Sequence, residues 1–159
     1  MRIQICPVKR LYQLLGQRDP DNCAGILSSA SEIDAAKLRG LPHVFRQYDD
    51  LDYECPGRSF SVEDAEAFAC FLKELDRDVR TLYCCCDAGE SRSPAVAAAV
   101  MRYFRADDMS IWRNPKYHPN MLVYAMLTQA LGVPVSDDEL DCRIYENRKA
   151  FQAAIRGTQ

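Results

Sequence analysis

The stretch that most constrains this chain is Cys86-Asp87-Ala88-Gly89-Glu90-Ser91-Arg92-Ser93, which sets a thiol, a glycine turn, an arginine and two hydroxyls between a strand and a helix. Upstream, Val79-Arg80-Thr81-Leu82-Tyr83-Cys84-Cys85 is β-branched and aromatic enough for a strand. Downstream, Pro94 at a first-turn position opens the alanine-rich run to Met101 as a helix. The N–H groups of Asp87, Ala88, Gly89, Glu90, Ser91 and Arg92 then lack intrahelical partners, so they can converge on phosphate oxygens with the helix dipole adding positive potential. The same field is expected to favour a Cys86 thiolate.

Spacing alone is a weak signal, because Cys142 and Arg148 repeat Cys-x5-Arg without a glycine, inside an amphipathic run that reads as plain helix. Six residues after Cys84 and Cys85 come Glu90 and Ser91. Only Cys86 reaches an arginine across a glycine-bearing turn before a helix.

On these residues the chain resembles the cysteine-dependent tyrosine and dual-specificity protein phosphatases, whose loop reads His-Cys-x-x-Gly-x-Ser-Arg-Ser. Cys86, Gly89, Ser91, Arg92 and Ser93 match it, and the family's Pro-Asn pair is matched by Pro119-Asn120 ahead of a helix. The likeness spans residues 45–131 and is greatest to small bacterial phosphatases of this type. It implies that Asn120 supports the loop. It also implies an aspartate on a mobile loop as proton donor, and Tyr48-Asp49-Asp50-Leu51-Asp52 stands in that place. Asp50 is the expected acid, with Asp49 and Asp52 as alternatives; without Cys86 the cluster would read as an acidic solvent loop. The implied reaction has Cys86 attack phosphorus, Arg92 bind equatorial oxygens, Asp50 protonate the leaving oxygen and then activate water, and Ser93 hydrogen-bond the sulfur.

Two positions depart from the pattern. Cys85 replaces the histidine before the nucleophile, and Glu90 brings a carboxylate to a place that is often apolar, where it repels a dianion unless a cation pairs with it. Asp87 and Glu90 occupy positions where phosphoinositide-directed relatives carry basic residues. The expected substrate is therefore a phosphotyrosine protein or a small phosphate monoester. The rival readings are a phosphate-binding pseudophosphatase and an arsenate-reductase-like oxyanion enzyme.

The 159 residues, 48% hydrophobic, suit one domain spanning 1–159. A net charge of -3 and a pI near 5.4 argue against nucleic acid or an anionic membrane as main partner. The apolar run at Met1-Arg2-Ile3-Gln4-Ile5-Cys6-Pro7-Val8 is too short for a secretory signal and reads as a first strand. No uninterrupted apolar stretch is long enough to span a bilayer. Neither a metal nor a cofactor is expected, since His43 and His118 are the only histidines and no zinc-like Cys-x2-Cys spacing occurs. Three of the eight cysteines are contiguous and the rest scattered, which points to a reducing cytoplasm rather than a disulfide framework. In a strand, Cys84 and Cys86 share one face and Cys85 takes the other; Cys85 and Cys55 are candidate partners for an oxidised Cys86.

Periodicity places strands near residues 2–6, 24–28, 43–48 and 79–85, and helices at 8–17, 31–38, 93–104, near 108, at 120–131 and from Ser136 onward. Another helix is capped by Ser61-Val62-Glu63-Asp64, with Ala65, Phe68, Phe71, Leu72 and Leu75 on one face. The alternation implies a three-layer α/β/α sandwich, and the resemblance adds a four-stranded parallel sheet in order 1-4-2-3. Trp112 and Tyr117 suit either a substrate groove or the core. His118 reads as a turn residue with a possible site role, Arg58 as a surface arginine and His43 as structural. Leu140, Ile144, Phe151 and Ile155 mark a packed amphipathic last helix.

Overall fold

Alternating side chains decide the architecture, and the computed structural model describes residues 1–157 of it. The last two residues of the expected 1–159 domain lie outside the described residues. Strands β1 (Arg2–Pro7), β2 (Cys23–Ser29), β3 (His43–Gln47) and β4 (Thr81–Cys86) form an all-parallel sheet in the order β1-β4-β2-β3. In β4, Leu82 and Cys84 enter one core cluster while Tyr83 and Cys85 enter the other, as the two-residue strand period requires. Both faces of the sheet are therefore covered, in the expected α/β/α arrangement.

The layers are unequal. One face carries α1 (Val8–Gln17), whose Leu11, Leu14 and Leu15 pack on Leu27, Tyr83 and Cys85. The other carries α2 (Val62–Lys73), α3 (Arg92–Tyr103) and α5 (Met121–Ala130), with the short α4 (Met109–Trp112) and the long α6 (Asp137–Gly157). The residues of α3 from Arg92 to Val100 are all buried, so an alanine-rich, nearly featureless helix fits closely over the sheet. The capping box of α2 forms as expected: Ser61 accepts from the Asp64 N–H, and Asp64 accepts from the Ser61 N–H. No helix among the described residues is long and apolar enough to cross a membrane.

Two expectations are corrected. The helix over 31–38 is only a 3₁₀ turn, Ala35–Leu38. Short polar side chains capture the backbone there, Ser29 Oγ accepting from Ser31 N and Asp34 Oδ1 from Ala36 N, before Arg39 and Gly40 turn left-handed at φ 51° and 78°. The last helix is held by only half of its expected apolar stripe: Leu140 and Ile144 pack against the core, whereas Phe151 and Ile155 are exposed, and its buried residues are Arg143 and Asn147. Arg143 makes paired bonds of 2.9 and 2.8 Å to the buried Asp108 carboxylate, which also accepts from the Tyr124 hydroxyl. Asn147 donates to the carbonyls of Trp112 and Tyr117. These polar bonds and the packing of Leu140 and Ile144 together fasten α6 to the body.

Candidate active site

The loop between β4 and α3 lies at the carboxyl edge of the sheet, where parallel α/β folds collect ligands. Its turn is possible because Gly89 sits at φ +73° directly on the end of β1, where a Cβ would meet Pro7 N and Cδ at 2.9 Å and the Cys6 carbonyl carbon at 3.0 Å. From this turn Gly89 donates its N–H to Cys86 Sγ at 3.2 Å, and Ser93 Oγ lies 3.1 Å from the same sulfur. Gly89→Ala forces both a strained φ and a backbone clash. It is expected to displace the loop, with a stability loss of about 1–3 kcal/mol read by the thermal midpoint.

Arg92 opens α3 with a guanidinium turned into the loop and 7% exposed. Its Nη2 donates to Asp87 Oδ2 at 2.7 Å and its Nη1 to the Tyr48 carbonyl at 2.9 Å, while its buried Nε has no acceptor. A buried donor left open in an otherwise satisfied arginine suits an anion. The Asp87 side chain is a brace, accepting from Ser29 Oγ at 2.6 Å and Ala30 N at 3.1 Å as well as from Arg92. Burial opposes its charge, but the bonds from Ser29, Ala30 and Arg92 prevail and hold its carboxyl below the usual range. With the folded value depressed, this brace stabilises the protein at neutral pH and is lost as pH falls through that value. Asp87→Asn should therefore lower the thermal midpoint at pH 7, and the gap from wild type should narrow below about pH 4. A gap constant with pH would refute the ionic brace.

The acidic segment after β3 reaches the same loop. Asp50 Oδ1 accepts from Ser91 Oγ at 2.9 Å and from Asn120 Nδ2 at 2.8 Å. Asn120 donates also to the Leu51 carbonyl, caps α5 by accepting from Val123 N, and gives its own N–H to the Ser91 carbonyl. One side chain thus joins the acidic segment to α5, and its backbone joins both to the loop. His118 N donates to the Glu90 carbonyl at 2.8 Å, so residues 118–120 brace the loop along its backbone. Of the alternatives to Asp50, Asp49 is held by Arg58 at 2.9 Å, whereas Asp52 stands with Asp50 at the edge of a cleft. Ala88 and Glu90 are exposed, and the Glu90 carboxylate has no partner among the described residues.

Cys85 points to the opposite face from Cys86, with its sulfur buried 3.5 Å from Cys6 Sγ, so its nearest thiol is not the candidate nucleophile. Cys55 lies in a turn in which its N–H donates to Ser59 Oγ. His43 bonds the Leu41 carbonyl through Nδ1. Trp112 belongs to the core, buried edge-on against Tyr124, and it also lines the cleft beyond Asp50, together with His118. Among the described residues no three His, Cys, Asp or Glu side chains are grouped to hold a metal. Nothing in the sequence marks the parts played by Ser29, Ala30 and the Tyr48 carbonyl, since each acts through a backbone position or a single hydroxyl far along the chain.

The crystal structure of PTPMT1 in complex with PI(5)P superposes with a TM-score of 0.54 at 11% identity, covering 89% of this chain and 94% of that one. This is the fold of the cysteine-dependent protein tyrosine and dual-specificity phosphatases. Human DUSP28 gives a TM-score of 0.49 at 14% identity over 96% of this chain and 94% of that one. The sequence matches no protein-family model and no curated protein sequence. Likeness to this phosphatase fold is carried by the sheet order and helix placement, with little sequence identity beneath it.

Proposed function

We propose that this protein hydrolyses phosphate monoesters through a phosphocysteine, acting on a phosphotyrosine protein or a small aryl phosphate. The observation that carries the reading is the Asp50 carboxyl, fastened to the loop by Ser91 and Asn120. A module that only binds phosphate needs the loop amides and Arg92. A carboxyl held at the rim would weaken its grip on a dianion, whereas a leaving oxygen needs such a group as proton source.

In the proposed cycle, Cys86 sulfur attacks phosphorus in line, forming the S–P bond as the P–O bond to the leaving group breaks. Asp50 gives its proton to the departing oxygen; Oδ1 takes the bonds from Ser91 and Asn120, which leaves Oδ2 for the proton. Arg92 holds equatorial oxygens, its open Nε among the donors, with Asp87 fixing the guanidinium. Water then attacks phosphorus, gives a proton to the Asp50 carboxylate and releases inorganic phosphate, while Ser93 stabilises the departing sulfur.

PTPMT1 was solved with PI(5)P. In this chain the corresponding loop offers the unpaired Glu90 and no lysine, which supports a substrate with fewer phosphates.

The test is hydrolysis of an aryl phosphate by the reduced protein in chelator, across pH 5 to 8. Asp50→Asn should lower kcat by about 10²–10³-fold, because an amide cannot give a proton to the leaving oxygen. Vanadate binding by a protein that shows no turnover would instead establish a phosphate-binding module.

A further inference from the structure

Beyond Asp50 the molecule opens into a cleft of about 440 Å³, within the size range of ligand sites. Its near end is acidic, with Asp50 and Asp52. Pro119, Met121 and Trp112 give it apolar surface, and its far wall is α6, which presents Ile144, Asn147 and Arg148. Those three share one helix face by their three- and four-residue spacing. The other cations beside Arg148 are occupied: Arg143 is paired with Asp108, and both Arg113 and Lys149 with Glu146. Arg148 is exposed and has no hydrogen-bond, ion-pair or ring partner among the described residues. The wall is also built to stay in place, because Asn147 ties α6 to the carbonyls of Trp112 and Tyr117 at 2.9 and 2.8 Å.

We infer that this cleft is a substrate-recognition subsite in which Arg148 pairs with a second anionic group, so that the preferred substrate is a phosphotyrosine peptide with an acidic side chain next to the phosphorylated residue. The inference rests on the phosphatase reading and names its substrate. Arg148 acts here on affinity, since the cleft it lines meets the site at Asp50 and Ser91 and is not lined by Cys86 or Arg92. A carboxylate supplies the counter-charge that Arg148 lacks, and the apolar stretch takes the intervening side chains. Asp50 and Asp52 at the near end set the direction, repelling a second negative charge close to the scissile phosphate and leaving it favourable only at the Arg148 end.

Three substrates test this: a small aryl phosphate, a phosphotyrosine peptide with neutral neighbours, and the same peptide with adjacent glutamates. Wild type should favour the acidic peptide through KM by about three- to tenfold, less at high salt. Arg148→Ala should remove that preference with kcat unchanged, Arg148→Lys should restore part of it, and neither should alter kcat/KM on the small aryl phosphate. Equal KM for the two peptides with wild type, or a preference that survives Arg148→Ala, overturns the inference. If the aryl phosphate is not hydrolysed, the phosphatase reading fails by itself. The subsite is then tested by titrating both peptides into the wild-type protein and Arg148→Ala, with the same discrimination expected in Kd and its absence overturning the proposal.

Discussion

Cys86→Ser is expected to lose turnover by at least about 10⁴-fold while keeping its fold and its capacity to bind phosphate. A serine hydroxyl at the same place would still meet the Gly89 N–H and the Ser93 hydroxyl, but it is a far weaker nucleophile at neutral pH and a poor leaving group from phosphorus. Thermal melting should scarcely move, because the exchange replaces one small buried atom by another. Arg92→Lys complements this result, since an ammonium can replace the charge but not the fork that reaches Asp87, the Tyr48 carbonyl and a bound anion together. Its loss should fall on both kcat and phosphate affinity. Full activity in Cys86→Ser would remove the phosphocysteine route outright.

The largest stability effect is expected at Asp108. Its carboxylate is buried and satisfied by Arg143 through two nitrogens and by the Tyr124 hydroxyl. Asp108→Ala leaves the Arg143 guanidinium, itself 11% exposed, without its counter-charge. Removing one partner of a buried pair costs about 3–5 kcal/mol, which for a chain of this length is a fall of about 10 °C in the thermal midpoint. Because Arg143 is one of the two buried residues of α6, the loss should be accompanied by weakened docking of that helix. Asp108→Leu with Arg143→Met should recover much of the loss, since an apolar pair removes the stranded charge. An unchanged midpoint in Asp108→Ala would mean that α6 is held by something other than this cluster.

The parts of the structure legible in the sequence are those governed by local rules. Ser61 and Asp64 mark a helix start because the two groups that satisfy each other lie three residues apart. Cys84, Cys85 and Cys86 divide between the faces of β4 because strand side chains alternate. The loop itself was legible because glycine, proline and the hydroxyls sit at fixed offsets. What the sequence could not carry is pairing across distance. Asp87 finds Ser29 58 residues away, and nothing local marks that partner; Asn120, 70 residues from Asp50, was marked as loop support by the resemblance of its Pro-Asn pair and by no local rule. The helix expected over 31–38 failed because Ser29 and Asp34 bond to the backbone there, and this competition is invisible to hydrophobic periodicity. The last helix was legible only in part: Leu140 and Ile144 of its amphipathic stripe pack on the core, yet its buried contacts are those of Arg143 and Asn147, which a hydropathy pattern assigns to solvent.

The sheet order bears on how the chain can assemble. β1 pairs only with β4, across a register that joins residues 2–7 to residues 81–86, and β4 also supplies the inner neighbour of β2. On a ribosome, the first half of the chain therefore emerges as two separate pieces, a lone strand with its helix and a β2–β3 pair, with no sheet to unite them. Closing so long a loop is entropically slow, and it is repaid only when the central strand slots between the waiting edges. The strand that completes the sheet is also the one that delivers Cys86, so nascent chains too short to present it carry no assembled thiol site.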